Sequence, residues 1–150
     1  MKLNIKTFDE LTKKELYEIL KLRAAIFVVD QNCAYQDLDD ADYGAIHVFY
    51  TDEGGIQAYL RILDKGVMSE DVRIGRVISK KRRCGIGTSL VKEAIKVAVD
   101  KFGADRIFVE AQVYVKEMYA KLGFVQISDE FLDVGVPHVK MILDLKGQGI

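Results

Sequence analysis

A mixed α/β domain is the fold class this sequence predicts, with six or seven strands and about four helices in a single unit spanning residues 1–150. Three observations carry that expectation. Strand-like runs of period two alternate with helical runs of period 3.6 along the chain. A turn with two glycines, Gly85 and Gly87, joins a strand-like run to a helical one, as in a parallel strand pair with a right-handed crossover. Apolar residues make up 49% of the 150, enough to fill one sizeable core.

Leu3, Ile5 and Thr7 alternate with polar residues as an opening strand. Thr12 and Glu15 have the spacing of a capping box, so a helix starts there and carries Leu16, Ile19, Leu20, Arg23 and Phe27 along one face. The acidic stretch Asp30 to Tyr43 reads as a second short helix or as a long loop. Ala45 to Thr51 and Gly55 to Leu63 are strand-like runs joined by Asp52-Glu53-Gly54-Gly55, a hairpin signal. Asp71 to Ser79 supplies the next strand. Gly75 within it marks a bulge that splays the sheet, because an interior glycine costs stability unless the backbone needs it. Leu90, Val91, Ala94, Ile95, Ala98 and Phe102 then share a helical face that Gly103 closes. Asp105 to Gln112 returns as a strand, Tyr114 to Leu122 as a shorter helix, and Phe124 to Ile127 with His138 to Leu145 complete the sheet. Residues 146–150 read as a flexible tail.

Net charge is −1 and the isoelectric point is near 6.1, so the overall balance points to neither a nucleic acid nor an anionic membrane as partner. The longest wholly apolar run, Ala24 to Val29, is far too short to span a bilayer, and Met1 to Glu15 has no apolar leader segment. Two cysteines, Cys33 and Cys84, lack the spacing of a disulfide framework or a zinc site, and no metal is expected. A reducing cytoplasm suits such a chain.

The charge that matters is local. Lys80, Lys81, Arg82 and Arg83 precede Cys84-Gly85-Ile86-Gly87 at the start of the long helical run. Glycines let backbone approach an anion, the helix start aims N–H groups at it, and guanidinium groups add formal charge. The combination suits a pyrophosphate. A Walker A loop is disfavoured, since Thr88 and Ser89 follow Gly87 with no lysine between, and a Rossmann turn would want a glycine where Leu90 stands.

Arg82-x-x-Gly85-x-Gly87 resembles the coenzyme A loop of the GNAT acetyltransferase superfamily. Tyr119-Ala120-Lys121-Leu122-Gly123-Phe124 is similar to that superfamily's fourth helix running through a C-cap glycine into a strand. Leu22 to Asp39, Ala58 to Ile62, Ile74 to Val77 and Phe131 to Met141 are similar to its ElaA-like branch, so the likeness covers almost the whole chain. The resemblance implies the GNAT fold and acetyl-CoA as donor to a small-molecule amine. A protein amine, or acyl-CoA sensing without turnover, stays open as an alternative, as does a homodimer. It also implies cofactor contacts from Val77 and Ile78 alongside the pantetheine arm, from Arg82, Arg83, Cys84, Gly85, Ile86, Gly87 and Thr88 around the pyrophosphate, and from Gln112 at the arm. The sequence departs from the family by carrying Arg83 where glycine is usual, by a shortened stretch between Val77 and Arg82, and by lacking a glutamate inside the fourth strand.

Acyl transfer to an amine needs a proton for the departing thiolate and a place for the amine's own proton. Tyr119 is the candidate acid, since a phenol with a reference pKa of about 10 stays protonated at neutral pH; the bland reading is a half-buried tyrosine on an amphipathic helix. Tyr114 reads as structural. Glu110 is the candidate base, or else a strand carboxylate paired with Arg61 or Arg106, and a chain of waters could serve instead. His47 and His138 are further candidates at the acceptor side, each in a strand-like run where a histidine is more often a packing residue. Asp37, Asp39, Asp40 and Asp42 form either a solvated loop or a wall that attracts a cationic amine.

Overall fold

The Thr12 hydroxyl accepts the Glu15 N–H at 3.1 Å, and the Glu15 carboxylate accepts the Thr12 N–H at 2.9 Å. This reciprocal cap starts helix α1 (Lys13–Arg23) in the computed structural model, which describes residues 1–32, 34–81 and 85–146. Past Arg23 the chain widens into a π-helical stretch, Ala24–Asp30. Among the described residues of the acidic segment there is no α-helix; they form a loop ending in a 3-10 turn, Ala41–Gly44. The remaining elements are β1 (Lys2–Thr7), β2 (Ile46–Asp52), β3 (Gly55–Leu63), β4 (Val72–Ser79), α2 (Ile86–Phe102), β5 (Arg106–Gln112), α3 (Lys116–Lys121), β6 (Val125–Gln126), β7 (Phe131–Asp133) and β8 (Val136–Asp144). Among the described residues there are thus eight strands and three α-helices, against an expected six or seven and about four.

The sheet runs β1-β2-β3-β4-β5-β8-β6, with β7 added on β8. Every pairing is antiparallel except β4 with β5. β3 is buried along nearly its whole length because both of its faces are covered. Tyr59 faces the α1 side with Ile19, Phe49 and Ile78. Ala58, Leu60 and Ile62 join Leu90, Val91, Ala94 and Ala98 of α2 on the other.

β4 and β5 pair only at Val72 with Ile107 and Arg73 with Phe108. Beyond Arg73, β4 continues along β3 while β5 stays with β8 through Gln112, so the sheet splits into a V. Where the split begins, β4 carries a bulge: Gly75 pairs with Arg61 and Ile78 with Tyr59, leaving Arg76 and Val77 opposite Leu60 alone. The expected bulge is therefore present, but Gly75 itself stays paired. Arg76 takes the left-handed conformation, with φ of 53°.

Candidate active site

A cavity of about 1090 Å³ fills the V, lined on one side by Gly75 to Ser79 and on the other by Glu110 to Gln112. Lys80, Lys81, Gly85, Gly87 and Thr88 border it at the α2 end, and Tyr114, Val115, Met118 and Tyr119 close it from the β5–α3 side. The topology explains the placement, since a parallel pair feeding a helix puts the helix N-terminus at the strand ends where the sheet parts.

Gly85 is the N-cap of α2, in the left-handed region at φ 78°, and among the described residues no side chain caps the first turn. The leading N–H groups of a 17-residue helix are therefore left to an outside acceptor. Packing does not demand either glycine's lack of a side chain. A Cβ on Gly87 would lie 3.5 Å from Ser79 Cβ, an ordinary contact, and one on Gly85 would stand in open space. The space is thus kept in front of the helix. Gln112 adds a second orphan, a side-chain amide oxygen buried at the cavity wall with no hydrogen-bond partner among the described residues. These features fit the pyrophosphate and amide-bearing arm of coenzyme A. Ile86 is absent from the lining and turns its side chain into the core, which leaves only its backbone for a ligand. Arg82, Arg83 and Cys84 lie outside the described residues, as do Cys33 and 147–150 of the expected tail.

Tyr119 sits on α3 with its ring edge against Phe124 at 5.5 Å between centroids. Its chain leaves the helix through Gly123 at φ 102°, as the motif predicts. The side chain is only 4% exposed, yet it lines the cavity. Among the described residues nothing hydrogen-bonds its hydroxyl. Burial pushes its phenol well above the usual range, which holds the proton on oxygen. Glu110 also lines the cavity, where Arg73 Nη2 lies 3.3 Å from its carboxylate, so its partner is neither Arg61 nor Arg106. Tyr114, expected to be structural, is exposed and borders the cavity.

The acceptor-side expectations divide. His47 is fully buried, with Nδ1 at 2.7 Å from the Tyr59 hydroxyl and Nε2 at 3.1 Å from the Asp42 carbonyl. Both ring nitrogens are spent inside the core, away from the cavity, so His47 packs rather than binds. Asp37 is likewise corrected: its carboxylate is buried and accepts from Arg23, Arg76 and Tyr35. Asp39 does reach the cavity, but Arg61 grips both its oxygens at 2.8 and 2.7 Å. Burial alone would raise its pKa; the Arg61 bonds outweigh that and hold it at about 2. Asp37, Asp39 and Asp42 of the acidic run are consequently neutralised by arginines. His138 lines the cavity, its Nδ1 2.7 Å from the Val136 carbonyl. Asp30 and Asp133 also line it and make no ion pair among the described residues. Sequence reading missed both, together with Tyr35, Arg73 and Arg76. For Arg76 the one available signal was its place beside Gly75.

The Acetyltransferase (GNAT) domain family matches residues 10–145. The chain belongs to this family. It is 32% identical to Escherichia coli ElaA over 137 residues, which is 89% of this chain and 90% of that protein. A Schizosaccharomyces pombe UPF0039 protein is 37% identical over 144 residues, covering 93% and 95% of the two chains. Among solved structures, an acyl-CoA N-acyltransferase from Pseudomonas aeruginosa superposes with a TM-score of 0.87 at 33% identity, covering 95% of this chain and 99% of that one. E. coli ElaA gives 0.88 at 29%, covering 96% and 100%. The chain is accordingly an acyltransferase of the GNAT type, an ElaA-like protein of a family that uses acyl-CoA donors. No helix among its described residues is long and apolar enough to cross a membrane.

Proposed function

We propose that this GNAT protein transfers an acetyl group from acetyl-CoA to the primary amine of a small molecule, with Tyr119 as general acid. When bound, the donor supplies a thioester carbonyl that a neutral amine attacks, forming an amide and releasing the thiol. The α2 N-terminus with Gly85, Gly87 and Thr88 would hold the pyrophosphate. Backbone of Val77 and Ile78 and the amide of Gln112 would hold the arm.

The observation that carries the acid role is a buried phenol on the cavity wall with no hydrogen-bond partner among the described residues. An acid engaged by the protein would have to break that bond before donating, and Tyr119 has none to break. Its raised pKa keeps the proton available at neutral pH. Glu110, 3.3 Å from Arg73, can receive the amine's proton through a water, becoming a neutral carboxylic acid as it does so. His138, Asp30 and Asp133 line the cavity as candidate contacts for the acceptor. A cytoplasmic setting follows from the donor.

Tyr119→Phe removes one hydroxyl and little volume. Calorimetric titration should find coenzyme A affinity unchanged, while kcat with a competent amine falls by roughly 10² to 10⁴-fold. Full activity in a variant that binds normally would reduce Tyr119 to a packing residue.

A further inference from the structure

Arg76 is a bulky residue in a conformation that favours glycine, at φ 53° in the β4 bulge. Left-handed backbone at a non-glycine residue is strained and persists where the surroundings over-determine it. Here the surroundings form a closed ring of alternating charge. Arg23 Nε lies 3.0 Å from Asp37, and Asp37 lies 2.8 Å from Arg76 Nε. Arg76 Nη2 lies 3.3 Å from Asp39, and Asp39 lies 2.7 Å from Arg61 Nη2. Arg61 Nη1 lies 3.0 Å from Asp42, and Asp42 returns to Arg23 Nη1 at 2.7 Å. Three arginines and three aspartates cancel. The Asp37 carbonyl also accepts from Arg76 at 3.1 Å, and the guanidinium lies over the Tyr35 ring at 5.8 Å.

The six residues come from α1, the acidic loop, β3 and β4. Arg23 is 0% exposed and Arg61 2%, so the ring is anchored in the core, and Asp39, Arg61 and Arg76 bring its edge to the cavity. Val77, the next residue, has no partner position on β3, and both Val77 and Ile78 line the cavity.

We infer that Arg76 is a positioning residue. Through Asp37 and Asp39 it locks the left-handed bulge, and the bulge turns the Val77 backbone out of the β3 ladder to meet the amide-bearing arm of the donor. The acidic loop then serves the cofactor side of the cleft, not the acceptor. This inference rests on the coenzyme A reading and goes beyond it, because it makes recognition of the arm depend on a salt-bridge ring behind the strand.

The test uses two ligands and two variants. Coenzyme A carries the arm; 3′-phospho-ADP has the same adenosine and pyrophosphate without it. Arg76→Gly removes the anchor but accommodates the left-handed backbone, and Arg76→Lys keeps a charge without the guanidinium fork. Calorimetric titration should show Arg76→Gly losing at least tenfold in affinity for coenzyme A and less than twofold for 3′-phospho-ADP. Arg76→Lys should show the same pattern at smaller size, and it serves alone if the glycine variant does not fold. Equal losses for both ligands, or none, would overturn the positioning role. Failure of the wild-type protein to bind coenzyme A would instead remove the cofactor reading and the inference with it.

Discussion

His47 illustrates how a residue's chemistry is decided by its partners. Its Nε2–H donates to the Asp42 carbonyl, and in the neutral ring its Nδ1 accepts from the Tyr59 hydroxyl. Burial first, and the nearby Arg23 and Arg61 with it, lower its pKa below the ordinary value of about 6.5. The unfolded chain binds that proton more readily, so His47 contributes stability above about pH 6.5 that is lost as pH falls through its folded pKa. Asp39, held at about 2, contributes stability above about pH 4 that disappears toward pH 2. Thermal melts should therefore show the midpoint falling between pH 7 and 5, then again between pH 4 and 2. His47→Gln should flatten the first fall; an unchanged slope would assign it to other groups. The sequence offered packing as the commoner role of a histidine in a strand pattern, but neither the partners of His47 nor the burial of Asp37, an acid in a polar run, was legible there. The arginines that pair with the acidic loop, Arg23 and Arg61, lie 14 and 19 residues from their aspartate partners Asp37 and Asp42.

At the scale of elements, local chemistry was legible wherever it was self-contained. The Thr12–Glu15 box, the Gly103 stop at φ 60° and the Gly55–Leu63 strand appear as the sequence predicts. β7 was missed because its two-residue turn to β8 places Val134 at φ 50° before Gly135 at φ 80°, and valine is no signal for a left-handed position. The fourth helix was overcounted because the acidic residues spend their hydrogen bonds on arginines, which holds that segment as a loop. The start of α2 carries its own prediction. Gly85→Val must force a β-branched residue to φ near 78°, at a cost of about 1–2 kcal/mol. Gly85→Asn tolerates that backbone yet projects a side chain into the open space before the helix. Titration should find coenzyme A affinity down at least tenfold in both, with the melting temperature lowered chiefly in the valine variant. Normal affinity in Gly85→Asn would move the pyrophosphate away from this helix.

For the whole molecule, function follows from one topological event, the parting of β4 from β5 after Arg73. The break opens the sheet, brings the α2 N-terminus to one end of the gap, and leaves Tyr119 at its wall. The sequence reported the ends of this arrangement through Gly85, Gly87 and the Tyr119–Phe124 motif. It was silent on the paired charges within, because they join elements distant along the chain. Transfer to an amine is the central claim, and its most direct measurement is thiol release from acetyl-CoA against a panel of polyamines, amino sugars, amino acids and peptides, with thermal stabilisation by acetyl-CoA recorded in parallel. The expected result is amine-dependent release with at least one small amine and its loss in Tyr119→Phe. A protein that acetyl-CoA stabilises but that releases no thiol with any amine would contradict the account.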